Sequence, residues 1–369
     1  MYLASLYFSG FRNLATQSIE LDPNLNFIIG RNAQGKTNLL ESFYYLSQAK
    51  SFRTNKTKDL ANWEGKEACI RGVVNTALTD HEIEIIIRDG KREILLDKKK
   101  LASVADLLGV FQTVCFVPDD LNLIKSGPEL RRKFVNRHLV DLNPELLTPL
   151  VNYNRALKSK NLLLKDQHVE YEKIHPWNRI MSDLAALIYR EKYIFLEKLL
   201  KKSNEVMNYF ADTDGEVYLS LKSNLDKQRN QNPQEILAAL EAKFPDEQRY
   251  GRSLLGLHLD DLKIELGEKS ARSFASQGQN RSLALALKLA IVELIGEEKG
   301  DLPVILLDDL DSELDRERAN KLFRFLFDRQ CQIIVTGTEL RDPERSSHDE
   351  NKVRSRKIFS ISAGKIASI

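Results

Sequence analysis

The sequence has few cysteines and no long apolar stretch. Its three cysteines lie far apart and form no CxxC pair, which argues against a disulfide framework and a zinc site and fits a reducing cytosol. No apolar run approaches the roughly 18–20 residues that a membrane-spanning helix needs, and the first residues lack the features of a secretory peptide. The formal net charge is only +2, so any nucleic-acid surface must be local. These absences predict a cytoplasmic globular protein.

Strand and helix patterns at the two ends of the chain predict an α/β core. Leu3–Phe8 and Asn26–Ile29 have strand patterns, and helical spacing follows over Lys36–Leu46. Short alternating runs within 67–97 predict a small antiparallel sheet. Near the other end, two short apolar runs are typical of central parallel strands, and a hairpin is predicted around Ala363-Gly364. The two runs are Val304–Leu307 and Ile333–Thr336.

A mostly helical stretch lies between these two ends. It begins at Pro128, reaches about Asn208, and repeats apolar residues three and four positions apart. A strand is predicted at Glu216–Leu221, and a fully buried helix over Leu283–Ile295, where apolar residues surround the helix. We therefore predict a core built from residues 1–124 and 252–369, with a helical lobe inserted over residues 125–251. Residues 341–356 are predicted to form a solvated loop.

The first chemical motif follows the strand at Asn26–Ile29. It matches the phosphate-loop pattern GxxxxGK[ST] in full, in the required context of strand, loop and helix. Backbone N–H groups of such a loop face an anion at the positive end of the next helix. The lysine reaches the β- and γ-phosphates of ATP, and the threonine hydroxyl binds Mg²⁺. The eight residues predicted to bind ATP are Gly30, Arg31, Asn32, Ala33, Gln34, Gly35, Lys36 and Thr37.

A second motif consists of two carboxylates at the end of the apolar run Val304–Leu307. Asp308 is predicted to hold Mg²⁺, and Asp309 to orient or deprotonate the attacking water. Many ATPases of this type carry Glu at the second position. Because Asp is shorter by one methylene, we expect slow hydrolysis. With Lys36, Asp309 is the predicted catalytic residue.

A third motif precedes the buried helix. Ser276, Gly278 and Gln279 resemble the signature of ABC-type ATPases, which contacts the γ-phosphate of the nucleotide bound by the other subunit of a dimer. The alternative is an ordinary helix cap at Ser276 or Asn280. Asp315, within Ser312-Glu313-Leu314-Asp315, resembles the D-loop that crosses the dimer interface.

These motifs, taken in order, resemble the RecF family of bacterial DNA-repair ATPases, which have an SMC-like ABC head. The likeness runs from near residue 3 to the end of the chain. Besides the three motifs, the stretches that carry it are Phe11-Arg12-Asn13, Ser51-Phe52-Arg53, Pro118-Asp119-Asp120-Leu121 and Pro128-Glu129-Leu130-Arg131-Arg132-Lys133-Phe134. The chain departs from the family pattern at Ser126, Asn136 and Gly256–Asp261, as a divergent member does.

The resemblance implies an α/β fold, with an ABC-type (SMC-like) P-loop ATPase head, a small antiparallel β subdomain and the inserted helical lobe. It implies an ATP-dependent homodimer that binds DNA at gaps or junctions and helps load RecA with the partners RecO and RecR. The implied cofactors are ATP and Mg²⁺.

Support for DNA binding from the residues themselves is a local excess of positive charge. Residues 125–202 hold 16 Lys and Arg against 9 Asp and Glu, and such a lobe can neutralise phosphates. The candidate contacts are Arg131, Arg132, Lys133 and Arg53. Since no base-reading motif is present, binding is expected to follow shape or backbone rather than sequence.

Three other classes of protein remain as alternatives. A transporter ATPase would need a switch histidine after Ile333–Val335, where the chain has Thr336-Gly337-Thr338. A structural SMC protein would need a long heptad arm, which the inserted lobe lacks. An ATP-sensing scaffold with negligible turnover stays open because of Asp309.

Overall fold

A computed structural model describes residues 1–62, 67–210, 215–225, 227, 229–309, 314–339 and 355–369. The chain divides into two compact units. The core unit consists of residues 1–121 and 284–369, and the inserted unit consists of residues 122–283. No helix of the described ranges combines the length and hydropathy needed to cross a membrane.

The strands, in chain order, are β1 (Tyr2–Ser9), β2 (Gln17–Glu20), β3 (Leu25–Ile29), β4 (Glu67–Asn75), β5 (Asp80–Arg88), β6 (Lys91–Leu96), β7 (Lys99–Lys100), β8 (Thr113–Phe116), β9 (Val217–Lys222), β10 (Asp261–Leu266), β11 (Lys269–Ser270), β12 (Val304–Asp308), β13 (Ile333–Gly337), β14 (Arg356–Ser362) and β15 (Lys365–Ser368). The α-helices are α1 (Lys36–Gln48), α2 (Pro128–Leu142), α3 (Leu147–Leu163), α4 (Tyr171–Phe210), α5 (Pro233–Tyr250), α6 (Ala271–Phe274), α7 (Gln277–Lys299) and α8 (Arg316–Asp328).

One sheet of the core unit has the order β15-β14-β3-β13-β12-β8. All neighbours in it are parallel except the hairpin pair β14 and β15. β12 and β13 are buried along their whole length, as their continuous apolar runs predict for strands covered on both faces. β3, from the start of the chain, pairs between two strands from its end, so the core is assembled from both ends, as the sequence indicates.

The second sheet of the core unit is antiparallel, with the order β2-β1-β4-β5-β6-β7. Alternate residues of β4 and β5 are buried, and these buried side chains join the same hydrophobic core as α1 and the parallel sheet. The predicted sheet over 67–97 is confirmed, and it is larger than expected because it also takes in β1 and the short strand β2.

The inserted unit contains α2 to α6, the first residues of α7 and a three-stranded antiparallel sheet in the order β11-β10-β9. The helical stretch predicted from Pro128 to about Asn208 corresponds to α2, α3 and α4. The strand predicted at Glu216–Leu221 is β9.

The second junction between the units differs from the sequence-based division. That division placed residues 252–283 with the core, whereas their contacts place them in the inserted unit. The reason is that β10 pairs along its length with β9, and Asp261 at its start binds Arg131 of α2. The junction lies within α7, between Leu283 and Ala284. The loop predicted over 341–356 falls mostly outside the described residues.

Candidate functional site

The candidate site lies at the carboxyl edge of the parallel sheet. In register, Gly337 of β13 lies beside Ile29 of β3, and Thr336 lies beside Asp308 of β12. Because these strands run in one direction, their carboxyl ends meet at one edge, which is where ligands bind in open α/β sheets. The phosphate loop and the two acids, 271 positions apart between Thr37 and Asp308, are therefore neighbours.

The phosphate loop leaves the start of α1 open to an anion. Gly35, with φ +112°, is the N-cap of α1, and neither a capping side chain nor an acidic residue occupies its first turn. The N–H groups there and the positive helix end are thus available for a phosphate. Lys36 is buried, and its Nζ donates to the Gly30 carbonyl at 2.6 Å and the Arg31 carbonyl at 3.3 Å. The ammonium group therefore lies inside the loop that a phosphate would fill.

The two predicted Mg²⁺ ligands contact each other. The Thr37 hydroxyl donates to Asp308 Oδ1 at 3.1 Å, and hydroxyl and carboxylate oxygens are the ligands that Mg²⁺ prefers. Burial raises the pKa of the Asp308 carboxyl, while hydrogen bonds from Thr336 and Thr37 oppose that rise. The donor set fits the ion that the motif implies.

Thr336 is a residue that the sequence reasoning did not assign to the site. Its hydroxyl donates to Asp308 Oδ1 at 2.8 Å, and its carbonyl and hydroxyl oxygens accept from the N–H of Asp309 at 3.3 and 3.1 Å. Asp309 has a left-handed backbone, with φ +45°. In the sequence, Thr336 ends the apolar run Ile333–Thr336 and follows Ile333–Val335, where a transporter ATPase would have its switch histidine.

Arg53, predicted to contact DNA, lies in the core unit beside α1. Its Nη1 donates to Asn38 Oδ1 at 2.6 Å and lies 3.6 Å from Glu41 Oε2. Glu41 is fully buried and accepts two hydrogen bonds from Arg12, at 2.9 and 2.8 Å. The charge of Arg53 also acts to lower the pKa of Asp308. The structure therefore associates Arg53 with the nucleotide site.

The predicted signature residues form a helix cap in this structure. The Ser276 hydroxyl accepts from the N–H of Gln279 at 3.2 Å, and the Gln279 side chain accepts from the N–H of Ser276 at 2.8 Å. This reciprocal arrangement is a capping box at the start of α7. Gly278 lies in the first turn. Asp315 caps α8 by accepting from the N–H of Arg318 at 2.9 Å, while Ser312 and Glu313 lie outside the described residues.

Two of the residues predicted to bind DNA are engaged inside the inserted unit, which corrects the surface assignment of the Arg131-Arg132-Lys133 triplet. Arg131 is only 3% exposed and binds both carboxylate oxygens of Asp261 at 2.7 and 2.9 Å. Arg132 donates to the Asp260 carbonyl at 2.8 Å, and only Lys133 is exposed, paired with Glu129 at 2.7 Å. α2 starts at Pro128, which puts Arg131 on the buried stripe with Phe134, Val135 and His138.

Other cations of the basic segment 125–202 are also buried. Lys160 lies 2.7 Å from Glu247 and Lys192 lies 3.1 Å from Asp260, with all four side chains at most 2% exposed. The local charge count therefore overstates the positive charge that this unit presents to solvent.

Comparison with known proteins agrees with the fold. The family model of the RecF/RecN/SMC N-terminal domain matches residues 2–353. The DNA replication and repair protein RecF of Clostridium novyi is 33% identical over 367 residues, which are 99% of each chain. RecF of Citrifermentans bemidjiense is 34% identical over 371 residues, 99% of this chain and all of the relative.

Solved structures resemble the chain over its whole length. A structure of the recombination mediator protein RecF with ATPrS has a TM-score of 0.89 at 29% identity, and covers 100% of this chain and 98% of its own. An Smc head bound to the winged-helix domain of ScpA has a TM-score of 0.56 at 18% identity, with 100% and 98% coverage. That second likeness concerns the fold alone.

Fold and site together define a P-loop ATPase head of the SMC-like ABC type. Two features of the structure are typical of this class. They are a phosphate loop between β3 and α1 and an acid pair at the end of β12. Within the class, the chain belongs to the RecF family.

Proposed function

We propose that this chain is an ATP-dependent DNA-binding protein of recombinational DNA repair, which dimerises with ATP and hydrolyses it slowly. The observation that carries the proposal is the contact between Thr37 and Asp308, which joins the phosphate loop to the acid pair. The relatives support the biological setting, since they are called DNA replication and repair proteins and a recombination mediator of the RecFOR pathway.

Within one subunit, the residues of the core unit bind the nucleotide. The loop from Gly30 to Thr37 binds the phosphates through its N–H groups, and Lys36 exchanges its carbonyl partners for the β- and γ-phosphates. Thr37 and Asp308 hold Mg²⁺, which when bound neutralises the charge that develops on the phosphates.

Hydrolysis depends on a positioned water, and Asp309 is the residue that orients it. The left-handed backbone turns this residue out of the β12 direction, and Thr336 fixes its N–H. A carboxylate there accepts a proton from water. The short side chain makes turnover slow.

A second copy of the chain supplies the remaining contacts with the nucleotide. Ser276, Gly278 and Gln279 contact the γ-phosphate held by the partner subunit, and Asp315 lies in the segment that meets the partner. The capping role of Ser276 is compatible with this, because a hydroxyl accepts one hydrogen bond while donating another.

The dimer binds duplex or gapped DNA without sequence preference, as the family membership implies. RecR and RecO are its proposed partners in loading RecA, and the cytoplasm is its proposed compartment. ATP controls DNA binding in this scheme, because only the ATP-bound dimer presents the surfaces of both subunits to the DNA.

Measurement of the mass in solution tests this proposal. By size-exclusion chromatography with light scattering, we expect the mass to double with ATP and Mg²⁺, and to double at lower protein concentration when duplex DNA is present. Lys36→Met is the control, because loss of the cation leaves the phosphate charge uncompensated and abolishes ATP binding. The proposal would be overturned if the mass of the wild type does not change with ATP. It would also be overturned if Lys36→Met binds ATP with unchanged affinity.

An ATP-sensing scaffold is a second candidate, favoured by the shorter carboxylate at Asp309. Such a protein dimerises with ATP but releases it intact. A steady-state ATPase assay with and without duplex DNA separates the two, since only the first candidate produces ADP at a rate that DNA raises.

A further inference from the structure

The C-terminal hairpin of β14 and β15 contacts the phosphate loop directly. Gln34 accepts two hydrogen bonds from the hairpin turn: its side chain accepts from the N–H of Ala363 at 2.7 Å, and its carbonyl accepts from the N–H of Gly364 at 3.0 Å. A Cβ on Gly30 would lie 2.5 Å from the carbonyl oxygen of Ile361 in β14. The loop is therefore packed against a hairpin encoded more than 300 positions later.

Gly364 in this turn has no space for a side chain. Gly364 has φ +77°, and a Cβ at this position would lie 1.9 Å from the carbonyl oxygen of Asn13. The Gly364 carbonyl accepts from the N–H of Ala15 at 3.0 Å, and the Asn13 side chain accepts from Asn38 of α1 at 2.7 Å. The segment from Asn13 to Ala15 thus packs against the hairpin turn, and the Asn13 side chain also lies beside Gly35 of the phosphate loop.

The phosphate loop needs such support. Ala33 has φ +64°, a left-handed conformation that an alanine adopts only at a cost in energy. A strained backbone of this kind persists when its neighbours determine it by other contacts. The next residue, Gln34, is the one bound by the hairpin turn.

We propose that the Ala363-Gly364 turn is a positioning element of the ATP site, which holds the phosphate loop in its binding conformation through Gln34. This inference rests on the proposed function, because it takes the loop to be the ATP site. The turn touches no phosphate in this role and acts through the loop. Preorganisation of a binding loop raises affinity because less ordering remains to be done on binding.

A glycine pair offers a matched test. Gly364→Ala introduces both a backbone penalty and the collision with Asn13, whereas Gly300→Ala, at φ +71° in the same unit, has no atom within 4 Å of the new Cβ. In titrations with a fluorescent ATP analogue and Mg²⁺, well below the melting temperature of each variant, we expect Gly300→Ala to bind like the wild type. Gly364→Ala should bind about tenfold more weakly, the loss expected from about one hydrogen bond and its positioning effect.

Gln34→Met is the second variant, and it keeps the inference testable if Gly364→Ala does not fold. It preserves side-chain size and removes the side-chain amide, including the oxygen that accepts from Ala363, so we expect an affinity loss of about threefold to tenfold. In the double variant, the two losses should not multiply, because both act through one contact. A merely destabilising substitution would lower the melting temperature without this non-additivity.

The outcomes separate this inference from the function it rests on. If Gly364→Ala and Gln34→Met each bind ATP as Gly300→Ala does, or if their effects multiply, the turn is not a positioning element. If the wild type itself fails to bind ATP, or binds it no better than Lys36→Met, the proposed ATP site is wrong.

Discussion

At the residue scale, Asp309 has an uncommon backbone conformation and is also the residue proposed to orient the attacking water. Its φ of +45° is tolerated by Asp and Asn far better than by most residues. An amide therefore preserves the backbone while removing the negative charge.

We predict that Asp309→Asn binds ATP normally and that its turnover falls by about 10²-fold or more, the usual contribution of a general base. The dimer should persist because the nucleotide is not consumed. The measurement is steady-state phosphate release together with the mass in solution. Asp119→Asn, an exposed aspartate of the same unit, is the control. Wild-type turnover in Asp309→Asn would remove this residue from catalysis.

His258 is a second residue with a measurable consequence. Burial lowers its pKa from 6.5, the backbone carbonyl of Ser253 raises it, and the nearby charge of Lys160 lowers it further. The carboxylate of Glu247 acts to raise it, and the guanidinium of Arg132 acts to lower it. The folded state therefore holds a neutral imidazole at pH values where the unfolded chain already binds a proton.

The sign of the effect follows from this difference. The contribution of His258 to the free energy of unfolding is fully present above about pH 6.5. It is lost as the pH falls below that value, because protons then bind preferentially to the unfolded chain. We predict that between pH 7.5 and 5.5 the melting temperature of the wild type falls further than that of His258→Gln, by roughly 2–4 °C for each unit of lowered pKa. His168→Gln, at an exposed position, should follow the wild type. Parallel curves for all three proteins would contradict the prediction.

At the scale of single elements, the start of α7 combines a structural and a proposed functional role. Ser276→Arg removes the capping hydroxyl and places a bulky cation where the partner's phosphate is proposed to bind. We expect each monomer to bind ATP as before, at a stability cost of about 1 kcal/mol from the lost cap, while the ATP-dependent dimer is lost in sedimentation experiments. Ser276→Thr keeps the hydroxyl and should dimerise. A persisting dimer in Ser276→Arg would leave this segment as a helix cap alone.

The exposed face of α3, together with the turn that follows it, is the next candidate for DNA, now that Arg131 and Arg132 are engaged internally. Residues 146–165 contain no Asp or Glu. Arg155, Lys158 and Lys165 are exposed there, and their side chains make no ion pair or hydrogen bond within the described part of the chain. Exposed cations on a stretch of chain that itself contains no acid are suited to phosphates.

We predict that reversing these three charges to Glu weakens duplex binding and lowers the slope of log affinity against log salt by about 0.9 for each lost contact. ATP affinity should be unchanged. The control reverses Arg179, Arg190 and Lys201 of α4, whose exposed side chains alternate along one face with Asp183 and Glu197. If the control variant and the α3 variant lose the same slope, the DNA surface is not specific to α3.

At the scale of the whole molecule, the sequence predicts the core well, for a physical reason. Phosphate loops and buried parallel strands have local patterns, and the apolar runs at Val304–Leu307 and Ile333–Thr336 are confirmed as β12 and β13. The meeting of Thr37 and Asp308 follows because parallel strands end at one edge.

The remaining features depend on contacts between distant segments, which no local pattern encodes. Arg131 and Lys133 look alike in sequence, but Asp261, 130 positions away, pairs with Arg131 only. Residues 252–283 look like part of the core until β10 is seen to pair with β9. The contacts that Thr336 and the hairpin turn at Gly364 make with the site are likewise visible only once the sheet is assembled.

The position of β3 in the parallel sheet has a consequence for synthesis. Its neighbours are β13 and β14, and they leave the ribosome roughly 300 residues later, tens of seconds at about 5–20 residues per second. During that interval the strand before the phosphate loop has neither partner, while all strands and helices of residues 122–275 have already emerged. The strands and helices of the inserted unit are therefore synthesised before the nucleotide site can be assembled, and the phosphate loop cannot reach its final setting until β13 and β14 have emerged.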